Sequence, residues 1–298
     1  MTPGATLGEK LRESWGYFKW FYTPFGRMSA KDIYELVSTR AFSSEGLYLN
    51  LGYWKDAATI DKACADMARL LARTADLKAG DEVVDVGFGF ADQDMLWVEE
   101  LDVKRITGLN ITPSQVALAR KRVAARGMSD RIELLEASAT RMPLGDASCD
   151  KVVGLECAFH FVTREDFFRE AFRVLRPGGR LALVDVIPNA PVERRFARRM
   201  QESTWKSFVT KYSVPPANAD SPGQYAAKLA RSGFTNVRVE SIWDDVYPGL
   251  HRYIKDDGEM LKRFHPLARF PYYMTRFFDP KTVFAAYDYV TVAADKPG

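Results

Sequence analysis

Between residues 82 and 184, short apolar runs alternate with longer stretches in which apolar residues recur every three or four positions. A strand buried on both faces reads as a continuous apolar run, whereas the helix that crosses over to the next strand buries only one stripe. The alternation therefore predicts βαβ units building a parallel sheet. Strands are expected at 82–86, 105–109, 132–136, 151–155 and 180–184, with helices over 114–126 and 164–175, and Pro177-Gly178-Gly179 is expected to end the second helix. Helices at 15–25 and 61–75 precede this region. Helices at 192–208 and 220–232 and strands at 237–242 and 284–294 follow it, and the stretch 243–280 between those strands is an insertion rich in aromatic and basic residues. The expected fold is α/β, a doubly wound and mostly parallel seven-stranded sheet with helical caps. It divides into a cap and lead-in helix (1–78), a core (79–190), and a remainder that completes the sheet and carries cap insertions (191–298).

With 298 residues, 47% hydrophobic and 27% charged, the chain reads as an ordinary globular protein without an apolar run long enough to span a bilayer. Its amino terminus has no basic region followed by an apolar stretch, so a cytoplasmic location is expected. Cys64, Cys149 and Cys157 are odd in number and lie in no metal-ligand spacing, which argues against a disulfide framework and a zinc site. A net charge of +3 with dispersed basic residues gives no stripe for nucleic acid.

The first strand runs into Asp85-Val86-Gly87-Phe88-Gly89-Phe90-Ala91, a strand-to-helix turn with glycines where backbone must approach a ligand closely. A nicotinamide dehydrogenase prefers a third glycine where Asp92 stands, and does not usually place an acid before the first glycines. Both details favour S-adenosylmethionine (SAM), whose ammonium and ribose hydroxyls need acceptors such as Asp85 and Asn110. A tight turn with a capping acid is the plainer reading of Asp85, Gly87 and Gly89. Gln93, Ile111, Gln115 and Glu156 flank the same strand ends and complete the candidate cofactor set.

Four blocks stand in a telling order: Val84 to Gly89, Gly108-Leu109-Asn110-Ile111-Thr112, Arg141-Met142-Pro143-Leu144 followed by Ser148-Cys149-Asp150, and Arg173-Val174-Leu175-Arg176-Pro177-Gly178-Gly179. In this order they resemble the class I SAM-dependent methyltransferases over about residues 80–188. The resemblance implies adenine contacts at Ser138, Ala139 and Thr140, and S-adenosylhomocysteine as product. It departs at Asn110, where many relatives carry Asp or Glu, and at Ser138, where Asp is common. Sterol methyltransferases resemble this chain in carrying Asn at the first position.

SAM brings its own electrophile, so the protein must align an acceptor and manage a proton. Leu155-Glu156-Cys157-Ala158-Phe159-His160-Phe161 puts His160 at the carboxyl edge of the sheet, where a base belongs. The segment resembles sugar O-methyltransferases of rebeccamycin and macrolide biosynthesis, which implies a histidine working with an acid at the end of the fifth strand, here Asp185. A structural histidine and a loop-capping aspartate are the plainer alternative, and Glu156 is a second candidate base. His251 and His265 are expected at the surface, although either is placed to line a cavity. No carboxylate cluster calls for a metal; Mg²⁺ is expected only alongside a diphosphate substrate.

Trp15, Tyr17, Phe18, Trp20, Phe21, Tyr22 and Phe25 are too dense for one helical stripe, which points to a lipophilic acceptor, a peripheral membrane contact, a homodimer contact or core packing. This segment and Leu49 to Trp54 resemble mycobacterial lipid O-methyltransferases. Arg194, Arg195, Arg198 and Arg199 recur at helical spacing, as a solvated face or as a phosphate site. The candidate substrate contacts are Tyr22, Tyr48, Trp54, Phe159, Arg194, Arg198, Trp205 and His251. O-methylation of a small lipophilic metabolite is the leading expectation, with C-methylation of an isoprenoid (a prenyl diphosphate or sterol-like alkene) and a non-catalytic metabolite-binding fold as alternatives.

Overall fold

The computed structural model describes residues 6–22, 28–37, 43 and 45–298. Two helices, α1 (Leu7–Tyr22) and α2 (Ala30–Val37), precede the lead-in helix α3 (Ile60–Ala75). The core then runs β1 (Glu82–Val86), α4 (Asp92–Leu101), β2 (Arg105–Asn110), α5 (Pro113–Ala125), β3 (Ile132–Glu136), β4 (Cys149–Leu155), α6 (Arg164–Val174) and β5 (Leu175–Pro188). Beyond it lie α7 (Arg195–Lys211), α8 (Pro222–Arg231), β6 (Thr235–Ser241), α9 (Trp243–Asp256), α10 (Gly258–Arg263), α11 (Pro266–Thr275), α12 (Pro280–Val283) and β7 (Tyr287–Asp295). The seven strands order β3-β2-β1-β4-β5-β7-β6, parallel except for β7, which runs antiparallel to both β5 and β6. The expected doubly wound sheet is therefore present.

Several boundaries shift by a few residues, the first helix beginning at Leu7 rather than Trp15, and one correction bears on the sheet. α6 stops at Val174, and Leu175 already has extended geometry (φ −66°, ψ 138°). Pro-Gly-Gly does not cap the helix but lies inside β5, near its start. Pro177 disfavours helix at Arg176, and the extra residues are absorbed as a register shift between Cys149↔Leu175 and Lys151↔Arg180. Gly178, at φ +77°, lets the chain bend while its amide donates to the Lys296 carbonyl.

Buried apolar residues pack on both faces of the sheet, Trp97, Met67 and Leu71 in one layer and Phe167, Phe168 and Tyr225 in the other. A third cluster joins α1 and α2 to the 243–280 insertion. There the Tyr17 ring lies flat on His265, centroids 4.3 Å apart, and Trp20 donates to the Lys211 carbonyl at 2.7 Å. His265 and His251 are both buried, which corrects the surface position expected for them. His265 caps α11 by accepting from the Leu267 amide, and His251 Nε2 bonds the Thr275 carbonyl oxygen. Of the dense aromatics, Tyr17 and Trp20 face the core while Trp15, Phe18 and Tyr22 face outward; Phe25 lies outside the described residues. Among the described residues, no helix is long and apolar enough to cross a membrane, and no group of three metal-ligating side chains converges.

Candidate active site

The carboxyl ends of β1, β2 and β4 open into a cleft of about 210 Å³, roofed by residues 47–50 and by Ala30 and Tyr34 of α2. Its floor is the glycine turn. Gly87 has φ +76°, its amide donates to the Leu109 carbonyl at 2.7 Å, and a β-carbon there would sit 2.6 Å from Cys157 Cβ. Gly89, at φ +57°, is less crowded, a β-carbon there meeting only the Leu49 side chain at an ordinary contact distance of 3.5 Å. Only glycine satisfies both the dihedral and the clearance at position 87. Gly87→Ala is expected to abolish SAM binding in calorimetry while the protein still folds, and retained binding would show that this turn is not the cofactor floor.

The predicted cofactor residues converge on this cleft with one exception. Gly87, Gly89, Gln93, Asn110, Ile111, Gln115, Ser138, Ala139, Thr140 and Glu156 all line it, whereas Asp85 lies just beneath. Asp85 is fully buried and accepts from Gln93 Nε2 at 3.0 Å. Asn110 accepts from the Thr112 amide and donates to Gln115 Oε1 at 2.9 Å, which fixes both amides at the end of β2. Ser138 accepts from the Thr140 amide, forming a tight polar turn after β3. Asp92, which sequence reading used only to exclude a dinucleotide, holds the roof: it accepts from the Leu47 amide at 3.2 Å and pairs with Arg122.

SAM fits these groups. Asp85 Oδ1 and Gln115 Nε2 are buried polar atoms without partners among the described residues, and such atoms call for a ligand or solvent. One is an acceptor suited to an ammonium and the other a donor, and the backbone at Gly89 is bare enough for close approach.

On the far side of the cleft, the short 3₁₀ turn Ala158–His160 carries His160. Its Nε2 shares a hydrogen bond of 3.0 Å with the Tyr34 hydroxyl. Burial pulls the imidazole down to about 4; the Tyr212 carbonyl opposes the shift and the Arg164 charge adds to it. The ring is thus neutral at pH 7 and free to accept a proton. Tyr34 is absent from the sequence-based list because a single tyrosine in the short α2 carries no recognisable spacing.

Asp185 does not meet His160, which corrects the predicted pairing. All of its lone pairs point elsewhere: Oδ1 accepts from the amides of Phe159 (3.1 Å) and Val186 (2.9 Å), and Oδ2 accepts from Arg164 Nε (2.9 Å) and the Tyr225 hydroxyl (3.0 Å). Arg164 is fully buried and also bonds Asp220 and the carbonyls of Asn218 and Val186. Asn218 completes the frame by donating to the carbonyls of Phe159 (3.1 Å) and Phe161 (2.7 Å). The backbone on either side of His160 is therefore held by a buried ion-pair network, and Asp185 acts on the histidine only through that backbone.

Glu156 lines the cleft at the end of β4, with φ +52°. Its Oε1 accepts from the Leu51 amide at 2.6 Å and from the Tyr289 hydroxyl, which ties the roof to β7. Burial raises its carboxyl to about 8, the Leu51 amide opposes this, and Asp185 adds to it.

Of the candidate substrate residues, only Tyr48 lines the cleft. Trp54 is a core residue packed over Gly249, its indole donating to the Leu51 carbonyl. Phe159 is buried between His160 and Phe208, and Trp205 stacks on Phe208 at 5.4 Å. Tyr22 bonds the Leu267 carbonyl on the outer surface, and His251 is in the cap core. Arg194 and Arg198 stand in a wholly exposed stretch and do not line the cleft.

A parallel sheet with a glycine-floored cleft at its carboxyl edge and a neutral histidine beside it defines a class I SAM-dependent methyltransferase. The chain belongs to that family: the "Methyltransferase domain" model matches residues 84–183. It is 36% identical over 278 residues to the erythromycin 3''-O-methyltransferase of Saccharopolyspora erythraea, covering 90% of each chain. It is 34% identical over 200 residues to the 27-O-demethylrifamycin SV methyltransferase of Amycolatopsis mediterranei, covering 66% of this chain and 70% of that one. The solved geranyl diphosphate C-methyltransferase of Streptomyces coelicolor superposes with a TM-score of 0.66 over 92% of this chain and 99% of that chain, at 14% identity, a likeness of fold. The protein is an enzyme that uses SAM, and the non-catalytic alternative falls away.

Proposed function

We propose that this enzyme O-methylates a hydroxyl of an uncharged, lipophilic natural product, a glycosylated polyketide being the class that its relatives suggest. The observation that carries the reading is the chemistry of the cleft wall: a neutral His160 with Nε2 at the cleft, and no lysine or arginine among the described lining residues. A prenyl diphosphate would bring several negative charges to a cleft whose described lining offers no cationic side chain to meet them. The arginines once available for that role, Arg194 and Arg198, are solvated.

When bound, SAM supplies an electrophilic methyl group. Gly87 and Gly89 give it backbone clearance, Asp85 and Gln93 receive the amino-acid end, Asn110 and Gln115 the ribose, and Ser138, Ala139 and Thr140 the adenine. Residues 47–50, pinned by Asp92 and Glu156, cover the cleft and exclude water. His160 Nε2 takes the proton of the acceptor hydroxyl when that hydroxyl displaces the Tyr34 hydroxyl from the ring nitrogen. Glu156 works as a strut that fixes the roof.

The exposed apolar residues Trp15 and Phe18 on α1, with Phe270 and Phe277 in the α11 region, mark where a homodimer or membrane contact would form. A cytoplasmic site of action accords with a small-molecule biosynthetic role. The test is S-adenosylhomocysteine release across hydroxylated polyketides, their glycosides, sterols and prenyl diphosphates. Turnover of the neutral hydroxyl compounds alone supports the reading; turnover of prenyl diphosphates or sterols alone overturns it.

A further inference from the structure

Two buried carboxyl groups lie beneath the Gly87–Gly89 turn at the cleft floor. Asp85 is near the end of β1 and Asp94 is in the first turn of α4, and both are 0% exposed. They face each other within hydrogen-bonding reach. Of their four oxygens, one has a donor: Asp85 Oδ2 accepts from Gln93, while Asp85 Oδ1 and both Asp94 oxygens have no hydrogen-bond partner among the described residues.

The other titratable groups near the pair do not neutralise it. Asp92, from the same turn of α4, is already matched by Arg122, and the Cys157 thiol beyond β4 donates to the Val86 carbonyl at 3.0 Å. No lysine, arginine or histidine among the described residues bonds either carboxyl. Two buried carboxylates in contact cannot both stay ionised; a proton held between them turns the repulsion into a hydrogen bond. Burial and mutual repulsion accordingly drive Asp85 well above the carboxylate range, and burial takes Asp94 to about 7.

We propose that Asp85 and Asp94 share one proton in the cofactor-free enzyme and release it to solvent when SAM binds, making Asp94 a positioning residue that links cofactor affinity to pH. The balance is simple. The O–H bond of the pair breaks, the proton passes to buffer, and the positive charge arriving in the cleft takes over its role in offsetting the two carboxylates. Asp94 never touches the cofactor; it acts through Asp85, which in turn fixes Gln93 at the cleft wall.

The sign follows from linkage. Groups with raised folded pKa values bind more protons in the free protein than the ionised pair retains in the complex, so affinity for SAM rises with pH for as long as the free pair keeps its proton and levels off once the pair loses it unaided. Between pH 6 and 7 the SAM ammonium stays protonated, and the neutral His160 contributes nothing.

The test is isothermal titration of SAM into the intact enzyme at pH 6.5 in phosphate and in an amine buffer, with affinity followed from pH 6 to 8, for wild type and Asp94→Asn. Wild type is expected to release a large fraction of one proton and to gain up to about tenfold in affinity from pH 6 to 7. In Asp94→Asn, where the amide donates to Asp85 and removes the need for a shared proton, release and pH dependence should vanish while binding persists. Enthalpies independent of buffer and a flat affinity in wild type overturn the proposal. So does equal release in Asp94→Asn, which would assign the proton to Glu156 in the cleft wall. If that variant does not fold, the wild-type slope alone decides. Loss of SAM binding in folded wild type at every pH would instead strike at the cofactor assignment, and so is distinguishable.

Discussion

His160→Ala is expected to lower kcat by about 10²- to 10⁴-fold, the range for loss of a positioned general base, while SAM affinity stays within about twofold. The expectation rests on position. Nε2 reaches the cleft beside Tyr34, whereas the groups assigned to SAM lie across the glycine floor. The pH profile gives a second readout. An ordinary histidine base loses activity below about 6.5, but burial has taken His160 to about 4. The acid limb of kcat/KM should therefore fall near 4, provided the protein remains folded there, and stopped assays from pH 3.5 to 8 would locate it. A limb near 6.5 would point to a different base. Loss of SAM binding in His160→Ala would make the residue part of the cofactor site instead.

The largest effect on stability is expected at Arg164. Arg164→Leu leaves Asp185 and Asp220 buried with much of their countercharge gone, and breaking such a pair costs about 3–5 kcal/mol. For a domain of this size that lowers Tm by about 10 °C, measurable by scanning calorimetry. Asp185→Asn separates two accounts of the aspartate. Because Asp185 bonds the Phe159 amide and Arg164 but not His160, the variant should lose stability and some kcat without moving the acid limb. A limb displaced by a unit or more would mean that Asp185 contacts His160 directly during turnover. A change in Tm of less than about 2 °C for Arg164→Leu would mean that the network is not the frame described.

The core strands were legible as short apolar runs, and 82–86 and 132–136 were placed to the residue, whereas the antiparallel direction of the last strand left no mark in the sequence. The cofactor floor was legible because glycines and polar strand ends leave local marks in sequence. The Asp185 error came from carrying the pairing of the resembled sugar O-methyltransferases over by strand position. Adjacent strand ends bring residues close, but which neighbour a carboxylate chooses depends on where a buried cation lies, and Arg164 announces itself only as the first residue of an ordinary helix. His251 and His265 were misplaced for a related reason. A histidine in an aromatic, basic insertion looks exposed until its partners are found, Ser14 and Tyr17 of α1 for His265 and the Thr275 carbonyl and Phe284 ring for His251. Tyr34 and Asp94 gave no signal, since one lies in a two-turn helix and the other differs from a surface acid only by burial.

The most direct measurement is the position of the label after reaction with SAM carrying a trideuterated methyl group and a hydroxylated macrolide glycoside. The account predicts one trideuteromethyl group on oxygen, seen as a mass gain and a methoxy carbon in the product spectrum, with no label entering geranyl diphosphate. Label on carbon, or label only in the prenyl diphosphate, would contradict it.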